Sequence, residues 1–207
     1  MKNGNGVEIL GDGSRYEEQW AGDQKNGKGV WNSSSGEKPE GDFKGDETDG
    51  KGVWISVKGD RFEGEFKADK KNGKGIWHSV DGEHFEGEYK DGKKSGEGAC
   101  KNKDGDTYQG HFNDDTKHGT GVWAGKDSSR HKGQFKNNEK NGKGIFISVS
   151  GERYEGDFNE GKELKKGIWI STKSDRYEGE LNNFKKHGKG VLFSADGERY
   201  EGEFQDD

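Results

Sequence analysis

The sequence predicts an all-β chain, an elongated single-layer antiparallel meander of β-hairpins, and three observations carry that prediction. A step of 23 residues connects Tyr16, Pro39, Phe62, Phe85, Tyr108, His131, Tyr154, Tyr177 and Tyr200, and no repeat gains or loses a residue. Strict spacing of this kind marks an array in which each unit packs on its neighbours. Two pentads recur on that step: aromatic-Glu-Gly-Glu-aromatic, as in Phe62-Glu63-Gly64-Glu65-Phe66, and Gly-Lys-Gly-apolar-Trp, as in Gly73-Lys74-Gly75-Ile76-Trp77. Both have the period of two that a strand requires, whereas glycine every few residues, at about 1 kcal/mol each against alanine, works against helix.

In the first pentad a strand puts Phe62, Gly64 and Phe66 on one face and Glu63 and Glu65 on the other. The polar stretch Lys67-Ala68-Asp69-Lys70-Lys71-Asn72 reads as a hairpin tip. In the second pentad Gly73, Gly75 and Trp77 share the ring face, leaving Lys74 and Ile76 opposite. A register with Phe62 opposite Trp77 places Gly64 opposite Gly75 and Glu65 opposite Lys74, matching rings with rings and opposite charges with each other. The face assignment is firmer than this register, because a shift of two residues keeps the same faces. A second turn signal follows each repeat, as at Asp81-Gly82. Returning Phe85 to the ring face demands an odd-length loop there, such as a type I turn with a glycine bulge.

Composition restricts the class further. The chain is 24% hydrophobic and 37% charged, which by itself suggests disorder, but its apolar residues recur at fixed places. A 23-residue period with 38 glycines and a single proline excludes collagen. The net charge of -6 argues against nucleic acid, whose phosphates need a basic footprint. No apolar stretch is long enough to span a membrane and the N-terminus has no signal-like segment, so the chain reads as soluble and cytoplasmic. Cys100, the one cysteine, occupies a tryptophan slot, reads as a small packed thiol and fits a reducing compartment.

The two pentads on a 23-residue step resemble the MORN repeat, and the resemblance covers the chain from Gly4 to Phe204. It implies a row of β-hairpins forming a twisted groove, residues 1–207 being one continuous array of about nine repeats with half repeats at both ends. It also implies a scaffolding role, since members of that family are mostly components of cilia and cytoskeletal assemblies, organisers of membrane contacts, or arrays attached to enzymes. Departures from the pattern are Glu18 and Lys165 for glycine, Pro39 and His131 for an aromatic, Ala99-Cys100 for the apolar-Trp pair, and Ser128 and Ser174 for turn glycines.

Candidate chemistry is sparse. Carboxylate pairs such as Glu63 and Glu65 recur in most repeats beside cross-strand lysines, which suits solvated charge pairing, whereas a catalytic pair would occur once. The six histidines form neither the close pairs nor the Cys/His clusters that zinc needs, and His118 and His187 share a tip position that suggests a surface role. No catalytic residue, metal site or cofactor is expected.

The expected function is protein-protein interaction by a non-catalytic scaffold, with the aromatic strip Phe62, Phe66, Trp77, Phe85, Tyr89, Tyr108 and Phe112, only partly covered in a single layer, as the groove for an extended or helical partner segment. A cytoskeletal component or ciliary assembly suits the family resemblance, and open strand edges at the two ends offer self-association. The alternative is a phospholipid headgroup contact through tip lysines Lys70, Lys71, Lys93 and Lys94. Polybasic membrane sites gather roughly four to eight cations, and these tips fall short.

Overall fold

The described residues, 1–205, of this computed structural model form eighteen β-strands joined by turns, with no helix. The chain falls into two compact units, Met1–Lys103 and Asp104–Asp207. The first holds β1 (Gly4–Ile9), β2 (Arg15–Ala21), β3 (Gln24–Asn32), β4 (Lys38–Lys44), β5 (Glu47–Ile55), β6 (Arg61–Lys67), β7 (Lys70–His78), β8 (His84–Lys90) and β9 (Lys93–Lys101). The second holds β10 (Thr107–Asn113), β11 (Thr116–Ala124), β12 (Arg130–Lys136), β13 (Glu139–Ile147), β14 (Arg153–Asn159), β15 (Lys162–Ile170), β16 (Arg176–Asn182), β17 (Lys185–Phe193) and β18 (Arg199–Phe204). Within each unit every strand pairs antiparallel with its sequence neighbours, which gives the meander that parity predicts.

Glycines pair with glycines across the strands. In the first unit Gly52, Gly64, Gly75, Gly87 and Gly98 lie side by side on successive strands. This spine exists because the first ring of each repeat lies over it. A Cβ built on Gly64 would stand 2.7 Å from the Phe62 ring and 2.6 Å from both Gly75 Cα and the Lys74 carbonyl oxygen. The ring thus packs directly on main chain, a seat that only hydrogen at the α-carbon leaves open. Seated rings meet other rings edge-on: Phe62 contacts Phe66 of its own repeat at 5.1 Å and Tyr89 of the next at 5.1 Å. Tyr108 does the same with Phe112 and Phe135, and His131 with Phe135 and Phe158.

The register confirms Phe62 opposite Trp77 and Gly64 opposite Gly75, but the third pair differs. A bulge follows, so that Phe66 opposes Lys71 and the stretch Asn72-Gly73-Lys74 stands against Glu65 alone. Gly73 takes a φ of 77°, where a side chain would be strained and would also meet the Glu65 carboxylate. Lys74 therefore faces Glu88 in the following repeat, and Glu65 faces Lys51 in the preceding one. Opposite charges do pair across strands, but between repeats and not within the hairpin.

Both kinds of turn follow from local chemistry. Tips are two-residue turns with positive φ at both central positions, 48° at Ala68 and 63° at Asp69, the type I′ geometry that matches strand twist. The inter-repeat ladder continues into them: Asp69 N–H donates to the Thr48 carbonyl at 3.1 Å, and Asp69 Oδ1 accepts from Thr48 N–H at 2.7 Å. On the other edge the odd-length loop is present. Gly82 N–H donates to the Ser79 carbonyl, Ser79 N–H donates to that of Glu83, and Gly82 has a φ of 88°. Where the turn glycine is missing, Ser128 and Ser174 each take a φ of 75°.

Two expectations follow. Gly87→Val should cost well beyond the typical ~1 kcal/mol of a point substitution, because its Cβ would meet the Glu97 carbonyl, Gly98 Cα and the Phe85 ring, each at 2.7 Å. Glu18 breaks the spine between Gly6 and Gly29 with a φ of 122°, so Glu18→Gly should raise the unfolding free energy by about 1 kcal/mol. Denaturant titration of both variants followed by circular dichroism checks the pair.

Candidate functional site

The strip expected to be partly open is largely closed. Phe62, Phe66, Phe85, Tyr89, Tyr108 and Phe112 are each 8% exposed or less. A single layer covers them because each seated ring has glycine backbone beneath it, rings edge-on beside it and a lysine stem above. Lys71 Nζ stands 4.9 Å from the centre of Phe62, and Lys94 Nζ 4.9 Å from that of Phe85.

What remains partly accessible on this face, besides Tyr200 on the last strand, is the ring of the second pentad. Trp31, Trp54 and Trp77 are half-buried, on the strands that flank the seated rings, with Trp77 opposite both Phe62 and Phe85. Lysines accompany them: Lys25 lies 3.6 Å from the centre of Trp31, Lys71 5.3 Å from Trp54 and Lys94 5.7 Å from Trp77. The second unit carries its own stripe of half-buried Trp123, Phe146 and Trp169, with Lys140 4.0 Å from Phe146 and Lys186 4.4 Å from Trp169. Burial pulls Lys25 and Lys140 below the usual lysine range, although carboxylates, Asp46 foremost for Lys25 and Glu163 for Lys140, oppose the shift. On the opposite face acids and bases alternate, with Arg61 and Glu63 paired at 2.6 Å and Arg153 and Glu155 at 2.7 Å. The ring face is consequently aromatic and cationic, while the other face is charge-balanced.

The four tip lysines divide between two surfaces. Lys71 and Lys94 turn onto the rings, whereas Lys70 and Lys93 are exposed at the tips. An open cleft beside Lys70 is also lined by Lys67, Lys74 and Lys90, but Glu65, Glu88 and Asp91 share it and offset most of that charge. Cys100 is half-buried opposite Phe85. His118 and His187 lie half-buried in the second strand of their hairpins, and the His187 carbonyl accepts the Tyr177 hydroxyl at 3.0 Å.

Two residues gain roles that spacing did not reveal. Leu181 stands where other repeats have the second ring, and Phe184, in the tip turn with a φ of 62°, supplies the missing edge-on contact to Tyr154 at 5.3 Å. Its N–H donates to the Glu163 carboxylate at 2.9 Å. His131 is fully buried in a ring seat, and neither of its ring nitrogens has a hydrogen-bond partner. At the same position Tyr16, Tyr108, Tyr154 and Tyr177 each donate a hydroxyl to the carbonyl three residues on. Burial first, and the Lys140 charge second, push His131 down to about 4, only partly offset by the Gln134 main chain.

His131 predicts an acid sensitivity. The unfolded chain takes up a proton near the ordinary histidine value of about 6.5 and the folded chain only near 4, so stability is intact above about 6.5 and falls as pH drops from there to about 4. The loss from this site is up to about 3 kcal/mol. His131→Tyr should melt higher at pH 7 and lose less stability at pH 5, which thermal unfolding of both proteins at the two pH values measures.

The profile of the MORN repeat matches residues 1–15, 19–38, 40–61, 62–84, 85–107, 108–130, 131–153 and 177–199. The repeat it leaves out, 154–176, contains Lys165 in place of a pentad glycine. No curated protein matches the sequence. Among solved structures the chain is similar to the G-box domain of the microcephaly protein CPAP, at 9% identity and a TM-score of 0.48 over 98% of this chain and 100% of that one. It is also similar to the TCP10 domain of CPAP from Danio rerio, at 8% identity and a TM-score of 0.49 over 96% and 99% of the two chains. The matched repeats span most of the sequence, and the chain belongs to the MORN repeat family.

Proposed function

We propose that the chain is a non-catalytic scaffold that binds a protein partner along the half-buried tryptophan stripe of its ring face. The carrying observation is the division of labour among the rings: the first-pentad aromatics other than Tyr200 on the last strand are consumed by packing, while Trp54 and Trp77 remain only half-buried beside Lys71 and Lys94. Half-buried tryptophans on a rigid sheet are suitable anchors, because little side-chain freedom is lost when a partner covers them. An extended segment lying along such a stripe meets a ring and a cation at each repeat. Membership of a cytoskeletal or ciliary assembly is the setting that the family resemblance suggests for this role. Of the aromatic strip read from the sequence, Trp77 is the member that this proposal retains as a contact; Phe62, Phe66, Phe85, Tyr89, Tyr108 and Phe112 support it from beneath.

Capture of partners from a cell extract by the intact chain tests the reading. Trp54→Ala and Trp77→Ala, each first shown to keep the β signal, should lose capture at about 2 kcal/mol or more per anchor, roughly thirtyfold in affinity. Exchange of Lys70 and Lys93 for glutamine should change little. If the lysine exchanges abolish binding to anionic vesicles at low salt while the tryptophan variants behave normally, a lipid-headgroup module replaces the scaffold.

A further inference from the structure

The hairpin of β7 and β8 carries a feature that no other repeat reproduces. His78 and His84 are the closing cross-strand pair of the hairpin, six residues apart in sequence, and their Nδ1 atoms stand 3.2 Å from each other. The reading from spacing alone, that the histidines form no close pair, is corrected here: the five-residue return of the chain at Ser79–Glu83 brings the two rings to a centroid distance of 4.6 Å. Both side chains reach the surface on the charged face.

We propose that His78 and His84 form a two-ligand clasp for a borderline divalent transition metal, of which zinc is the test case. Three observations support it. First, two imidazole nitrogens bound to one tetrahedral zinc at about 2.0–2.1 Å are about 3.3–3.4 Å apart, and the pair is already at 3.2 Å. Binding therefore needs little rearrangement, since the two-stranded hairpin holds both rings before the ion arrives. Second, the Nδ1 contact can be a hydrogen bond only while one ring carries a proton there and the other does not, and a metal ion can replace that single proton. Third, position 84 departs from the rest of the array. Arg61, Arg153 and Arg176 occupy it in other repeats and pair with Glu63, Glu155 and Glu178 two residues on. Histidine here removes that guanidinium and leaves the Glu86 carboxylate on the same face as the pair.

Among the described residues no group of three or more His, Cys, Asp or Glu converges, so water completes the shell and the site is a surface clasp. Arg61 and Lys101 flank the pair in register and oppose a cation, but Arg61 is engaged by Glu63 at 2.6 Å. An ion held by both rings ties β7 to β8 at the open edge of their turn.

The test uses the untagged full chain titrated with zinc chloride, followed by calorimetry and histidine ring NMR. Expected are one saturable site, selective perturbation of His78 and His84, and a higher melting temperature that a chelator reverses. Two variants borrow residues that other repeats already carry and so preserve the fold: His84→Arg, as at Arg61, and His78→Ile, as at Ile55. Each should weaken zinc at least about tenfold, while His111→Asn should not. Magnesium, which prefers oxygen ligands, should produce no equivalent shift. Zinc binding that survives both variants, that fails to saturate, or that magnesium reproduces overturns the proposal.

Discussion

An aromatic ring lying on a pair of facing glycines is the contact on which the rest of this protein depends. A sheet one layer thick has no second sheet to bury its apolar side chains. Here the main chain itself serves as the floor, and the rings of adjacent repeats serve as walls. The rings dominate this packing because each buries a large area and makes edge-on contacts that add about 0.5–1.5 kcal/mol beyond area burial. Each ring touches both its own repeat and the next, so the packing is a chain of nearest-neighbour terms, and a defect such as Pro39 or Leu181 stays local. Phe184 illustrates the repair: a turn residue in a disfavoured backbone conformation supplies the ring that Leu181 lacks.

That arrangement also decides what the surface can do. Because the first ring of most repeats is consumed by packing, the tryptophans of the second pentad and their lysines are what this face leaves partly accessible. The bulge around Gly73 sends Lys74 to the neighbouring repeat and keeps Glu65 against Lys51. The charged face is therefore neutralised internally, while the ring face keeps its cations over aromatic rings. A protein of net charge -6 thus presents a cationic aromatic stripe in each unit.

The edges of the meander are held by short polar devices. At the tips an Asp or Asn in the second turn position accepts an N–H from 21 residues earlier, as Asp69 does from Thr48 and Asn138 from Lys117. On the other edge Asp60 accepts from Val80 N–H and Asp175 from Ala195 N–H, and these bonds hold both carboxyls below the usual carboxylate range. Each device couples one repeat to the next.

Much of this was legible from residue spacing. Strand faces, the Phe62 to Trp77 register and the odd-length return at Gly82 all follow from parity, because a strand has a period of two and each glycine and ring recurs on a 23-residue step. Three things were not legible. The bulge was hidden because Gly73 looks identical to Gly75 in sequence, yet one supplies a positive φ and the other a seat for a ring. The burial of Phe62 and its counterparts was hidden because exposure depends on what the adjacent repeat and a lysine stem place above a ring, not on the ring's own strand. The meeting of His78 and His84 was hidden because side-chain proximity across a turn is set by the pairing of the two strands. The sequence by itself determined a periodic β-array with one aromatic and one charged face, since periodicity is a property of the chain. Only the tertiary structure decided which rings are core and which are surface, since that depends on how each repeat is covered by the next.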